Sequence, residues 1–293
     1  MSTVAELSNS LDERRPTVMD EYAQREVRRA VLTAIAVPGY QVPFGSREMP
    51  VARGWGSGGL QITVALAGPD DTVKVYDQGE DAGVNAVNLR RLIEASAGSD
   101  ATTDAREATI IQTRHRVPED PLDAGQVLVL QVPEPEPLRG IERNVDELRR
   151  MHAEADYARI WVSLYEDLVR NGVITRTTGY PCTVDGRYVI ATTPIPRWDV
   201  PKLTNAPYLS LFGAGREKRI YAIPPYTRVE PLTFDDVPFE VESTPGARCL
   251  NCGAGGPGEP ESYLVQLPGR DGRWVCSDTD WCGRRTASKE QDR

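Results

Sequence analysis

The chain has 293 residues, 40% apolar and 26% charged, with a formal net charge of −9. This balance fits a globular protein with a substantial core, and the negative charge argues against sequence-independent nucleic-acid binding, which needs a basic face. No apolar run approaches the ~20 residues of a membrane-spanning helix, so we expect a cytoplasmic protein with neither signal peptide nor membrane span.

Residues 1–14 are polar and expected to be disordered. Val18, Met19, Tyr22, Val27, Val31, Ala34 and Ile35 then recur at helical spacing, predicting a helix that stops at Pro38-Gly39. A Gly- and Pro-rich stretch, 39–59, follows; irregular segments that long are functional or disordered. Short β-type runs come next, LQITVAL (60–66), TVKVYD (72–77), ATIIQT (108–113) and QVLVLQV (126–132), with the helix-like AVNLRRLIEAS among them. Beyond the PEPEP punctuation, Tyr157, Ile160, Trp161, Leu164 and Leu168 share one helical face, marking a helical insertion.

Strand signals resume in TVDGRYVIA, where Asp185-Gly186 suits a tight hairpin turn, and in YLSLF and RIYAIPP. The expected fold class is α+β. A mixed-sheet core (15–133 and 173–239) carries a helical insertion (134–172), a small cysteine-rich metal-binding unit (240–285) and a disordered tail (286–293).

Four of the five cysteines fall in that last unit, as Cys249-x2-Cys252-x23-Cys276-x5-Cys282, with the hairpin candidate SYLVQLPGRDGRWVC between the pairs. In a cytosolic chain clustered thiols are ligands or reactive groups before they are disulfides. Two thiolates two residues apart, joined by others returned on a hairpin, can converge on one metal. Structural zinc on all four is the first reading by spacing, ahead of an iron–sulfur cluster and of a dithiol redox pair. In a three-thiolate cluster Cys282 would be the free residue. Ser277 to Asp280 are expected to cap a turn, and Cys182 to be a small packed residue. The two histidines, His115 and His152, are too few for a histidine-based metal site.

Donors for an anionic ligand are offered by Gly54, Gly56, Gly58 and Gly59 around Ser57, by Arg114 and His115 after a β-run, and by Gln131 on a neighbouring strand. The basic run holding Arg216, Lys218, Arg219 and Arg228 stays unassigned.

The stretches AVPGYQVPFGSREMPVARGWGSGGLQ, QTRHRVPE, LFGAGREKRIYAIPPYTRVE and VCSDTDWC, in this order, closely resemble the catalytic subunits (subunit J) of bacterial carbon–phosphorus lyase, over residues 16–285. The resemblance implies a radical S-adenosylmethionine enzyme that cleaves α-D-ribose 1-methylphosphonate 5-phosphate to methane and ribose 1,2-cyclic phosphate 5-phosphate. It implies a [4Fe-4S] cluster on Cys249, Cys252 and Cys276, a thiyl radical on Cys282 and a glycyl radical on Gly39. Zinc is expected at the four cysteines in aerobically purified protein. The implied partners are the other core subunits of the lyase and an ATP-binding-cassette subunit docked at the helical insertion, with Asp156 and Tyr165 as contacts. The alternative is a zinc-stapled structural subunit of a multiprotein complex.

Overall fold

The computed structural model describes residues 19–46, 57–132, 137–172, 181–186, 188–191, 195, 197–231, 246–267, 269 and 272–292. Helix α1 (Glu21–Ala36) starts at Asp20, whose carboxylate accepts from the Ala23 amide at 2.8 Å, and buries Ala23, Val27, Ala30, Val31 and Ala34. It ends at Val37, and Gly39 turns the chain in the left-handed region (φ 75°) while its N–H donates to Ala222 O at 3.0 Å.

A seven-stranded sheet follows. It comprises β1 (Val42–Pro43), β2 (Thr72–Val75), β3 (Asp100–Thr102), β4 (Ile110–Thr113), β5 (Val127–Gln131), β8 (Leu209–Ala214) and β9 (Arg219–Ile223), in the order β1-β9-β8-β5-β4-β2-β3. The strands from β3 to β8 run parallel, while β9 and β1 are added antiparallel at one edge. The central strands are buried on both faces and so read as continuous apolar runs. One face, with Val73, Val75, Ile110, Val129, Leu211 and Ala222, packs against α1, α2 (Ser57–Leu66) and α3 (Val84–Ala97). The other, with Ile111, Leu128, Leu130, Phe212 and Tyr221, packs against a small sheet of β6 (Pro181–Val184), β7 (Tyr188–Ala191) and β10 (Val229–Pro231).

The hairpin β6–β7 turns at Asp185-Gly186, both at positive φ, which matches the expected turn. In the insertion, α4 (Val145–Glu154) and α5 (Ala158–Asn171) form a satellite core from Leu138, Leu148, Met151, Tyr157, Ile160 and Leu164. Trp161 lies half-buried and stacks on Tyr165 at 5.8 Å. Cys182 is buried in the main core, as expected of a packed residue.

Two expectations are corrected. LQITVAL belongs to helix α2, not to a strand: a short apolar run buried on every side has no periodicity to separate the two, and Ser57 to Ala65 are all buried. The tail from 286 onward is helical, continuing α6 (Thr279–Gln291). The expected disorder of 1–14 lies outside the described residues. Among the described residues no helix is long and apolar enough to cross a membrane.

The cysteine unit is a two-stranded hairpin, β11 (Leu264–Gln266) and β12 (Trp274–Cys276), followed by α6. It is locked onto β2 by buried charge. Lys74 is fully buried, with Nζ 3.1 Å from Asp278 and 3.5 Å from Asp81, and the Tyr76 hydroxyl donates to Asp278 at 2.5 Å. A second buried pair, Arg116 with Glu119, extends to the hairpin, because Glu119 also accepts from Ser262 Oγ at 2.9 Å and Tyr263 N at 3.0 Å. Removing one partner of such a network strands the others. We predict that Lys74→Met, which leaves Asp81 and Asp278 facing each other, lowers the unfolding free energy by roughly 3–5 kcal/mol. Equilibrium denaturation checks this, and an unchanged midpoint would contradict it.

Candidate functional site

The parallel strands point their C-terminal ends at one edge, where open α/β sheets place ligands. Helix α2 begins there, so close to the sheet that side chains cannot be added: a Cβ on Gly58 would fall 2.4 Å from Gly215 N, and one on Gly59 2.4 Å from Gln131 Cγ. Its first turn therefore lies against the ends of β5 and β8. Arg114, just past β4, donates through Nε to Gln131 Oε1 at 3.2 Å and lies 3.1 Å from Asp77, just past β2. His115 stacks on Tyr263 of the cysteine unit, ring centroids 5.9 Å apart. Burial, followed by the neighbouring Arg114, pushes the His115 pKa down to about 4, so the ring is neutral near pH 7. Its Nε2 is buried without a hydrogen-bond partner among the described residues.

Behind Tyr263, whose carbonyl accepts from the Ser277 amide at 2.9 Å, lie the thiols. The sulfurs of Cys249, Cys252, Cys276 and Cys282 all lie within 4.8 Å of one another, with Cys249–Cys282 and Cys252–Cys276 at 3.5 Å, and all four are buried. Asp278 caps α6 by accepting from Trp281 N at 3.0 Å, which aims Cys282, one turn on, back at the other three. Burial raises the Asp278 pKa, but Lys74 and the Tyr76 hydroxyl outweigh it and hold it below the ordinary value. Among the thiols, a hydrogen bond from Cys276 draws Cys249 down to about 4, whereas burial and then Cys249 push Cys282 up to about 12. Four thiols so close do not ionise together unless a cation sits among them.

The set can hold one metal ion. With metal–sulfur bonds of ~2.3 Å a tetrahedral ion spaces its sulfurs by roughly 3.8 Å, in keeping with these contacts. The thiolates of an iron–sulfur cube each bind a different iron and stand farther apart, so the arrangement as it stands does not fit that group.

Residues 13–288 match the family model described as phosphonate metabolism protein PhnJ. The chain belongs to the PhnJ family. Its sequence is similar to the α-D-ribose 1-methylphosphonate 5-phosphate C-P-lyase of Rhizobium meliloti (strain 1021), with 53% identity over 272 residues covering 92% of this chain and 90% of the relative. It is similar also to the α-D-ribose 1-methylphosphonate 5-phosphate C-P lyase of Escherichia coli (strain K12), with 49% identity over 276 residues covering 93% and 96%.

Within this PhnJ-family chain, Ser57, Gly58, Arg114, His115 and Gln131 converge beside the cysteine unit; Gly56 lies outside the described residues. Gly39 does not join them. It bonds Ala222 on β9, in register across β8, β5 and β4 with Val75 of β2, and four strand spacings amount to ~19 Å. Lys74, Tyr76, Asp77, Asp81 and Asp278 were not foreseen as site residues. The one signal for them was charge within the apolar run TVKVYD.

Two outcomes are expected. Modifying the thiols in metal-loaded protein should release one ion per chain, and Cys282→Ser should weaken its retention against a chelator; release of no metal would contradict the site. For His115 the folded pKa (about 4) lies below the usual 6.5, so its contribution to stability is complete above pH ~6.5 and lost as pH falls toward 4. His115→Gln should flatten the stability–pH profile in that window, by about 3 kcal/mol at most. An identical profile in the variant would overturn the assignment.

Proposed function

We propose that the chain is a carbon–phosphorus lyase acting on α-D-ribose 1-methylphosphonate 5-phosphate. The observation that carries the reading is the likeness, at 49–53% identity over more than nine-tenths of the chain, to two relatives named for that reaction. The strand-end edge agrees with it: Arg114, the N-terminal turn of α2 and the Nε2 of neutral His115, without a partner among the described residues, suit phosphonate or phosphate oxygens.

A carbon–phosphorus bond has no oxygen leaving group to protonate, so we propose homolysis. In the working state a [4Fe-4S] cluster on Cys249, Cys252 and Cys276 and S-adenosylmethionine would supply the initiating radical. That state needs the thiolates to spread and Cys282 to come free of the close four-sulfur arrangement described above. The cavity of about 500 Å3 beside Cys276 and Cys282 is lined by Glu80 and Glu290 and, among the described residues, by no cation, which favours a sulfonium over an anion.

The remaining steps belong to the chain and its substrate. A Cys282 thiyl adds to phosphorus, the carbon–phosphorus bond breaks homolytically, and the departing methyl radical takes a hydrogen atom from Gly39 to give methane. The ribose 2-hydroxyl then displaces Cys282 from phosphorus, closing the 1,2-cyclic phosphate and passing its proton to the thiolate. The restored thiol returns a hydrogen atom to the Gly39 radical and becomes a thiyl again. In this structure four strand spacings separate Gly39 from β2, so this exchange requires Cys282 and Gly39 to be brought together, and the Gly39 arm rests on the resemblance alone.

Partners and location follow the same reading: a cytoplasmic complex with the other lyase core subunits, and an ATP-binding-cassette subunit on the insertion. Val162, Tyr165 and Val169, exposed on α5, support that docking face. The second reading, a zinc-stapled scaffold, is favoured by the one observation that Cys282 stands among the ligands.

Anaerobically reconstituted protein with reductant, S-adenosylmethionine and substrate is expected to release methane, and Cys282→Ala to release none. Gly39→Ala should also abolish methane while keeping metal content and fold. Zinc without iron or sulfide after reconstitution, and no methane, would leave the scaffold reading.

A further inference from the structure

A cavity of about 520 Å3 opens between the insertion and the antiparallel edge of the sheet, beside Gly39, and the reaction described above does not use its charge. Four arginines line it: Arg139 in the first turn of the insertion, Arg143 ahead of α4, Arg149 on α4 and Arg219 at the start of β9. Among the described residues no aspartate or glutamate does, in a chain whose net charge is −9. Arg139 reaches Glu217 at 3.6 Å, and Arg149 pairs with Asp146 at 3.5 Å in full exposure to solvent. Arg143 and Arg219 have no ion-pair partner among the described residues. Both come from rigid neighbours: Arg219 is paired in register with Pro43 and Ala214, and Arg143 precedes the N-cap Asn144.

We propose that this cavity is a second anion site, which binds a phosphorylated sugar. Arg143 and Arg219 face the cavity without an ion-pair partner among the described residues, and planar guanidinium donors match phosphate oxygens in pairs. Arg143 and Arg219 take the phosphate, with Arg139 and Arg149 adding field. Val145 and Leu148 give the cavity an apolar wall for the sugar, and the volume falls in the range of small-ligand pockets. The site is distinct from the Arg114 edge, because none of its lining residues belongs to β2, β4 or β5. It needs neither metal nor radical, so it stands independently of the reaction proposed above.

The test is a calorimetric titration of full-length Arg114→Gln protein, in which the other anion site is disabled, with ribose 5-phosphate and with inorganic phosphate. Ribose 5-phosphate should bind at least tenfold more tightly than phosphate. Its affinity should fall at least tenfold in Arg143→Ala and in Arg219→Ala, and recover partly in Arg219→Lys. Arg143 is exposed, so its variant keeps the fold, which circular dichroism verifies. Absence of ribose 5-phosphate binding, or unchanged affinity in both alanine variants, would overturn the site. Equal affinity for phosphate would overturn the sugar assignment. An acidic peptide that outcompetes the sugar phosphate would reassign the cavity as a protein contact.

Discussion

The fully buried Lys74 ammonium is the group on which the arrangement of the site depends. It stands within 3.5 Å of both Asp81 and Asp278, and Asp278 in turn caps the helix that carries Cys282. A charge buried this deeply is tolerable only when fully paired, so β2, the loop after it and the cysteine unit must assemble together. Arg116 and Glu119 repeat the device from β4 to the hairpin through Ser262 and Tyr263. The thiols are thereby fixed against the strand ends, and the stacked pair His115 and Tyr263 forms the seam between the two parts.

This docking separates charges by function. The strand-end edge offers Arg114, the N-terminal turn of α2 and a neutral imidazole to an anion, while the cavity on the far side of the thiols is lined by Glu80 and Glu290. The opposite end of the sheet gathers four arginines around Gly39. An anionic substrate is attracted to two of these places and repelled from the third, by charge alone. The sheet keeps the two anion-binding places apart, because its central strands are packed on both faces.

Much of this was legible in the sequence. The β-runs at TVKVYD, ATIIQT and QVLVLQV, the Asp185-Gly186 hairpin and the cysteine hairpin all carry local signals, short β-branched apolar runs or turn chemistry, that tertiary packing does not override. LQITVAL misled because a helix buried all round has lost its amphipathic period, and the last helix was missed because its exposed residues show no apolar stripe. Convergence of the four cysteines followed from spacing. The buried ion pairs did not, since Lys74 and Asp278 stand some 200 positions apart in sequence and meet only through the fold. The distance between Gly39 and the thiols was equally invisible: it is set by strand order, which no local signal encodes.

Central to the proposed function is a phosphonate substrate at the strand-end edge beside the four cysteines, which can hold a metal ion. The most direct measurement loads the four cysteines with paramagnetic cobalt and follows phosphorus-31 relaxation of α-D-ribose 1-methylphosphonate 5-phosphate bound to the protein. Strong, distance-dependent broadening of the phosphonate resonance, relieved in Arg114→Gln, is the predicted result. Bound substrate with no cobalt-induced broadening would place it away from the cysteine unit and contradict the account.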